Sequence, residues 1–246
     1  MKTTGNTILI TGGSAGIGLA LAQRFIAEGN HVIITGRDQG RLDKAAAELG
    51  DNATAIAFDV SKPEDVTALA ARLTTEFPNL NILINNAGQA YYYKLNENAD
   101  AFTKAQHEML VNYLSVIRLT EQLLPLLKQQ PEAAVVSVSS IVAFVPNAGL
   151  PTYAASKAAL HSYSQSLRLV LQDTPVKVFE LMPPLVNTDF SKEIGGENGI
   201  APSVLADDLV NAFASDTYEI HTGDTAVIYE LSKSDYAAAF GALNPN

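Results

Sequence analysis

The sequence predicts an α/β protein: one parallel β-sheet, doubly wound, with helices covering both faces. Three observations predict it. Short apolar runs alternate regularly with stretches of helical period along most of the 246 residues. Those runs are almost continuously apolar, as strands buried on both faces should be. The first of them passes through a glycine-rich turn, Thr11-Gly12-Gly13-Ser14-Ala15-Gly16-Ile17-Gly18, straight into a helical stretch.

The elements follow in order. Thr7 to Ile10 reads as the first strand, and Leu19 to Ile26 continues the helix that the glycine turn opens. His31 to Thr35 is a second strand, followed by Gly36-Arg37-Asp38. From Asp38 to Leu49 the residues Leu42, Ala45, Ala46 and Leu49 form one helical face, which Gly50 ends. Ala53 to Phe58 is a third strand ending at Asp59-Val60, and Pro63 opens a helix reaching about Phe77. Leu80 to Ile84 is a fourth strand, closed by Asn85-Asn86-Ala87-Gly88. A long helical stretch covers about Asp100 to Gln129. Ala134 to Val138 is a fifth strand ending at Ser139-Ser140, Thr152 to Leu171 is helical, and Val176 to Leu181 is a sixth strand. Thr188 to Ala201 is polar, glycine-containing and aperiodic, and reads as a loop, either mobile beside a site or plain surface. Ser203 to Ser215 reads as a helix with Ser203 as N-cap, and a last strand near Ala226 to Tyr229 with a short helix would complete the sheet. No composition break or linker divides residues 1–246, so a single domain is expected.

Bulk properties narrow the function. Hydrophobic residues make up 47% and charged residues 17%, enough for a core and unlike a disordered chain. The formal net charge of −10 argues against a nucleic-acid or anionic-membrane partner, which would need a basic surface. The absence of cysteine excludes disulfides and thiolate chemistry. No signal peptide fits before the first strand, and no apolar run approaches the roughly 18–20 residues of a membrane span, so a cytoplasmic protein is expected. His31, His107, His161 and His221 lack metal-ligand spacing and read as ordinary residues.

In an open parallel sheet, ligands bind beyond the carboxyl ends of the strands. The glycine turn, Arg37, Asp59, Asn85 to Gly88, Ser140 and Pro183 to Thr188 all fall there. Glycines let the backbone turn sharply and approach a pyrophosphate, and the following helix N-terminus would hold that anion. The spacing G-x-x-x-G-x-G differs from the common dinucleotide fingerprint, and a tight strand-to-helix connection would explain the glycines as well. Tyr153 and Lys157 lie four apart on one helix face. A tyrosine with an ordinary pKa of roughly 10 is a poor acid or base near neutrality, and an adjacent ammonium favours its phenolate. Spacing alone does not single this pair out, because Tyr229 and Lys233 share it. Context does: Tyr153 begins the helix after strand five, with Ser140 at that strand's carboxyl end, whereas Tyr229 reads as a packing residue.

Thr11-Gly12-x-x-x-Gly16-x-Gly18, Asn85-Asn86-Ala87-Gly88, Asn112, Ser140 and Tyr153-x-x-x-Lys157 occur together in this order. On them the chain resembles the short-chain dehydrogenase/reductase family over nearly its whole length. The resemblance implies a Rossmann-type fold, a nicotinamide cofactor and a Ser-Tyr-Lys-Asn catalytic set. Tyr153 would exchange a proton with the substrate oxygen, and Ser140 would stabilise the charge developing there. Lys157 would lower the Tyr153 pKa and hold the nicotinamide ribose, and Asn112 would anchor a water relaying protons to Lys157. Gly12, Ser14, Ala15, Gly16, Ile17 and Gly18 would cradle the pyrophosphate. Asp59 and Val60 would meet the adenine, Asn85, Ala87 and Gly88 would line the adenosine, and Pro183, Val186 and Thr188 would face the nicotinamide.

Where NAD-binding proteins usually place an acidic residue after strand two, this chain has Gly36 and then Arg37. An arginine can make charge-assisted bonds to a 2′-phosphate, so NADP(H) is expected over NAD(H). Ala15, where many NADP-binding members are basic, points the other way. The chain departs from the family at Pro183-Pro184, where Pro184 replaces the usual glycine and alters the local loop. Pro-Pro here and Thr-Gly-Arg after strand two resemble the DltE-like branch of bacterial oxidoreductases.

The expected activity is reversible hydride transfer between nicotinamide and the carbonyl or alcohol of a small neutral or apolar molecule. The walls would come from Gln89 to Leu95, Ile141 to Pro151 and Asp189 to Ala201, with Tyr91, Tyr92, Tyr93, Phe144, Val145 and Leu150 lining the pocket or packing behind it. A non-catalytic NADP(H)-binding regulator on the same fold is the alternative, and an extended-type sugar-nucleotide epimerase fits the short chain less well. The resemblance also implies a homodimer or homotetramer, paired through the long helical stretches.

Overall fold

A computed structural model describes residues 1–245; Asn246, the last residue of the expected domain, lies outside it. The strands are β1 (Thr7–Thr11), β2 (His31–Gly36), β3 (Ala53–Ala57), β4 (Leu80–Asn85), β5 (Ala133–Val138), β6 (Val176–Met182) and β7 (Glu219–His221). All pair in parallel in one sheet ordered β3-β2-β1-β4-β5-β6-β7. The winding reverses between β1 and β4, which opens a crevice at their carboxyl ends.

Helices α1 (Gly16–Ala27), α2 (Gln39–Leu49), α3 (Pro63–Glu76), α4 (Ala101–Met109), α5 (Ser115–Leu127), α6 (Pro151–Leu171), α7 (Pro202–Ser215), α8 (Asp224–Ser234) and α9 (Tyr236–Leu243) complete the chain. Strand residues alternate between two cores. Ile8, Ile10, Ile34 and Ile84 meet α1, α2 and α7, while Leu9, Ile33 and Leu83 meet α3 and α5. The central strands are therefore mostly apolar, because helices cover both faces, while β6 also carries Lys177 and Glu180. Burial of whole Leu, Ile and Phe side chains on both faces contributes about 1.5–3 kcal/mol each.

Four features differ from the sequence expectation. The run Ala226 to Tyr229 is helical, within α8, and the seventh strand is Glu219–His221. Gly223 turns the chain with φ 53°, Asp224 opens the helix, and Thr225 and Ile228, three apart, face inward. An apolar run this short carries no period that separates strand from helix. Helix α7 starts at Pro202, with Ala201 rather than Ser203 at the N-cap. Proline at the first helical position gives up an N–H that has no partner there. The segment 188–201 holds two 3₁₀ turns, Asp189–Ile194 and Gly196–Asn198, and its base is pinned where Val186 bridges Ile200. The long stretch after Asp100 is continuous but widens into a π-turn at Leu110–Leu114, between α4 and α5. Asn112 sits in that turn, a local form frequent at functional sites.

Candidate active site

The glycine turn is locked to the end of β4. Thr11 Oγ1 accepts the N–H groups of Asn86 and Ala87, both at 3.0 Å. Asn86 Nδ2 donates to the Thr11 and Gly12 carbonyls at 2.9 and 3.1 Å. Gly12 (φ 67°) and Gly16 (φ 53°) adopt the left-handed region that other residues avoid. A Cβ on Gly12 would stand 3.1 Å from Ala87 Cα, and one on Gly16 3.2 Å from Thr188 Cγ2. The glycines thus keep open a narrow passage between the turn, the end of β4 and the loop after β6.

That passage belongs to a cleft of about 1910 Å³ lined by Gly12, Ala15, Gly16, Ile17, Ala87, Gly88, Ser140, Tyr153, Lys157, Pro183, Val186 and Thr188. A cavity of about 210 Å³ adjoins it, lined by Ser14, Arg37, Asp59 and Val60 with Gly12, Ala87 and Gly88 in common. Two expected contacts lie elsewhere. Asn85 is buried, and its Nδ2 meets Thr120 Oγ1 at 3.3 Å, away from the cleft. Successive strand residues face opposite sides, and the sequence Asn85-Asn86 does not say which one faces the ligand. Gly18 packs against the Gly12 carbonyl and the Asn86 amide, so it shapes the turn without lining the cleft. Asn86, which the sequence placed in the motif without a role, belongs here, and so does Arg41, which the sequence reading missed and which lines both spaces. The second arginine four positions after Arg37 was the available signal for Arg41.

Asp59 is fixed in the wall of the smaller cavity. Burial pulls its pKa upward, but bonds from the Ser61 hydroxyl (2.7 Å) and N–H (3.0 Å), with the nearby Arg37 charge, outweigh that and hold it below the usual carboxylate value.

At the other end, Ser140 leaves β5 in extended conformation, its Oγ accepting the Val142 N–H at 3.3 Å. Tyr153 stands in the first turn of α6, buried, with the Ser140 hydroxyl as its neighbour. Burial raises the Tyr153 pKa above its ordinary value; Ser140 opposes that, and the Glu108 charge adds to it. Lys157, one turn on, is also buried; its Nζ donates to the Val138 carbonyl at 2.8 Å and lies 5.5 Å from the Tyr153 ring centre. Burial lowers its pKa to about 8, and Glu180 opposes the fall. In this geometry the ammonium faces the tyrosine ring while bonding to a carbonyl.

Asn112 Nδ2 donates to Gln89 O (2.8 Å) and Ser156 Oγ (2.9 Å), and its Oδ1 accepts the Gln89 N–H (2.8 Å). The side chain thereby clamps the segment after Gly88 to α6. All three expected wall segments contribute to the cleft, and of the six side chains named on them Tyr92 and Leu150 line it. Tyr91 turns to His107, Tyr93 bonds Thr152, Val145 is fully buried, and Phe144 packs on His161, His221 and Tyr229. Tyr229 carries Lys233 on its ring face at 3.6 Å and packs on Phe144 and His221.

Residues 6–199 match the family model described as short chain dehydrogenase. The chain belongs to the short-chain dehydrogenase/reductase family. Among its relatives, the uncharacterized oxidoreductase DltE of Bacillus subtilis is 37% identical, covering 99% of this chain and 98% of its own. The NADP-dependent 3-hydroxy acid dehydrogenase YdfG of Shigella flexneri is 34% identical over 79% of each chain. A short-chain dehydrogenase from Burkholderia cenocepacia in complex with NADP superposes with a TM-score of 0.88 at 24% identity, covering 99% of both chains. One from Burkholderia phymatum in complex with NAD superposes with a TM-score of 0.88 at 21% identity, covering 97% and 96%. The seven-stranded Rossmann-type sheet is thus the short-chain dehydrogenase fold, and the chain is an oxidoreductase of that family. At the family's Pro-Gly step, Pro184 packs toward Gly223, where a Cβ would stand 3.7 Å from its ring. The Pro183 carbonyl still accepts the Ile141 N–H at 2.9 Å, tying this loop to the one that carries Ser140.

Proposed function

We propose that this oxidoreductase interconverts a carbonyl and an alcohol using NADP(H). The observation that carries the reading is the adjoining pair of spaces, with Arg37 and Arg41 at one end and Ser140, Tyr153 and Lys157 at the other. The bound nicotinamide would supply or accept the hydride. Arg37 and Arg41 would hold the 2′-phosphate by charge-assisted bonds. The turn from Gly12 to Ile17, at the N-terminus of α1, would hold the pyrophosphate, and Val186 and Thr188 the carboxamide. Lys157 would hold the ribose. Ser140 would donate a hydrogen bond to the reacting oxygen, and the Tyr153 hydroxyl would give that oxygen its proton, or take it back in the reverse direction. Phe190, exposed and 6.2 Å from the Tyr153 ring centre to centre, with Tyr92, Leu150 and Ile194, gives the substrate end an apolar character. A small neutral substrate fits it. Among the described residues, no helix is long and apolar enough to cross a membrane.

The test is NADPH consumption across a panel of aldehydes, ketones, diketones and quinones, with NADH in parallel and Tyr153→Phe as control. Turnover that requires Tyr153 and prefers NADPH supports the reading. Consumption with NADH alone overturns the cofactor assignment. Bound NADPH without turnover of any carbonyl supports the regulator instead.

A further inference from the structure

Behind Lys157 lies a buried charge that the reaction above does not use. Glu180, on β6, has no solvent exposure. Its Oε2 lies 2.9 Å from His161 Nδ1, and its Oε1 has no hydrogen-bond partner among the described residues. His161 is one helical turn beyond Lys157 on α6, so Tyr153, Lys157 and His161 share one face of that helix. Glu180 pairs in register with Ser137, and its neighbour Leu181 pairs with Val138, whose carbonyl holds Lys157 Nζ. The carboxylate therefore sits one strand position from the lysine's anchor, and its charge reaches Lys157.

A buried carboxylate with one oxygen unpaired is costly unless cations compensate it. A buried ammonium bonded only to a neutral carbonyl has the same difficulty. Each group supplies what the other lacks. We propose that Glu180, tethered by His161, is a positioning residue: the buried counter-charge that keeps Lys157 an ammonium beside Tyr153. The proposal rests on Lys157 acting as an ammonium in the reaction described above, but it is a statement about the protein's own charges and can be read without a substrate.

Other charges face the same groups. Around His161 stand Glu219 and His221 on β7 and Arg168 on α6; around Lys157 and Tyr153 stand Glu108 on α4 and Glu180 itself. His221 meets Glu219, Glu180, His161 and Lys233. Arg168 is already bonded to Glu219 at 2.8 Å and Lys233 to Glu230 at 3.1 Å. Neither of these cations is bonded to Glu180, which leaves His161 as the one hydrogen-bonded partner of its side chain among the described residues.

The test follows the lysine directly. The full-length protein is labelled with lysine carrying ¹³C at Cε, the Lys157 signal is assigned by its loss in Lys157→Arg, and its shift is followed with pH by NMR. In Glu180→Gln, which keeps the shape and removes the charge, the Lys157 midpoint should fall by about one pH unit. An unchanged or raised midpoint overturns the proposal. His161→Gln keeps a neutral donor and leaves the carboxylate in place, so the midpoint should stay or rise. A fall there matching that of Glu180→Gln would mean that disturbed packing, not charge, is being read, and would also overturn it. The His161 arm stands on its own if Glu180→Gln does not fold. Because neither arm needs cofactor or turnover, failure here is distinguishable from failure of the NADP(H) assignment.

Discussion

Tyr153 and Lys157 are both buried, and burial drives their ionisation in opposite directions, the phenol upward and the ammonium downward. Replacing Tyr153 with Phe removes the hydroxyl proposed as the proton donor while keeping the ring's packing. Turnover should fall by about 10²–10⁴-fold, the usual range for a positioned acid, with NADPH affinity almost unchanged by fluorescence titration. Lys157 leaves a signature in stability. Its folded pKa of about 8 lies below the ordinary 10.5, so between those values the unfolded chain binds a proton that the native chain does not. Stability contributed by this site therefore rises with pH across that window. Compared with Lys157→Met in urea unfolding, the natural protein should gain ground between pH 8 and 10.5, by at most about 3 kcal/mol, with a constant difference below neutral pH. A difference that shrinks over the alkaline window would contradict the burial account. At the adenosine end, Arg37→Ala should cut the NADPH over NADH preference by about tenfold, and Arg37→Ala with Arg41→Ala should abolish it, since a bond to a charged group contributes about 1.5–3 kcal/mol.

At the scale of elements, the walls of the substrate end hold one another. The Gly149 carbonyl accepts the Tyr93 N–H at 2.9 Å, and the Tyr92 ring lies where a Cβ on Gly149 would go. The loop that carries Gly149 is strapped to the end of α9 through Asn147 Nδ2 to Leu243 O (2.6 Å) and Ala148 N to Asn244 Oδ1 (2.7 Å). Gly149→Ala pushes on the ring of a half-exposed tyrosine, not on backbone. The expected outcome is a change in KM for bulky carbonyls of several-fold with the melting temperature nearly unchanged; a collapse in melting temperature would show that the ring cannot move. Asn112→Ala acts where the segment carrying Tyr92 and Tyr93 begins, at Gln89. It strips the Gln89 N–H and C=O of their partners, and leaving such groups unpaired costs about 1–3 kcal/mol each. Both stability and turnover should drop, which separates this clamp from Tyr153, where only turnover should.

For the whole molecule, part of the exposed apolar surface lies on the helices that flank the sheet. Leu114 is 46% exposed, Leu169 66% and Val170 75%, and Tyr113 and Tyr163 pack edge to face across the π-turn and α6. A helical face that presents this much apolar surface is suited to another helix pair. We expect light scattering at micromolar concentration to give a dimer or tetramer of the 26.2 kDa chain, and Val170→Glu with Leu114→Glu to reduce it toward the single-chain mass. A single-chain mass for the unaltered protein would refute this.

Much of the protein could be read from its residues in order. Doubly buried strands are mostly apolar, and that pattern marked β1 to β6 within a residue or two. The glycine turn could be read because left-handed backbone at Gly12 and Gly16 excludes most other residues. The Tyr153-Lys157 pair could be read because four residues make one helical turn. Tertiary structure decided the rest. Which of Asn85 and Asn86 faces the cleft depends on strand registration, and whether Ala226 to Tyr229 forms strand or helix depends on what Thr225 and Ile228 pack against. His161 and Glu180 are nineteen positions apart and belong to different elements, so nothing local joins them. Local backbone preference and burial period are properties of neighbours in the chain. The meeting of two charges inside a core is a property of the packed sheet and helices alone.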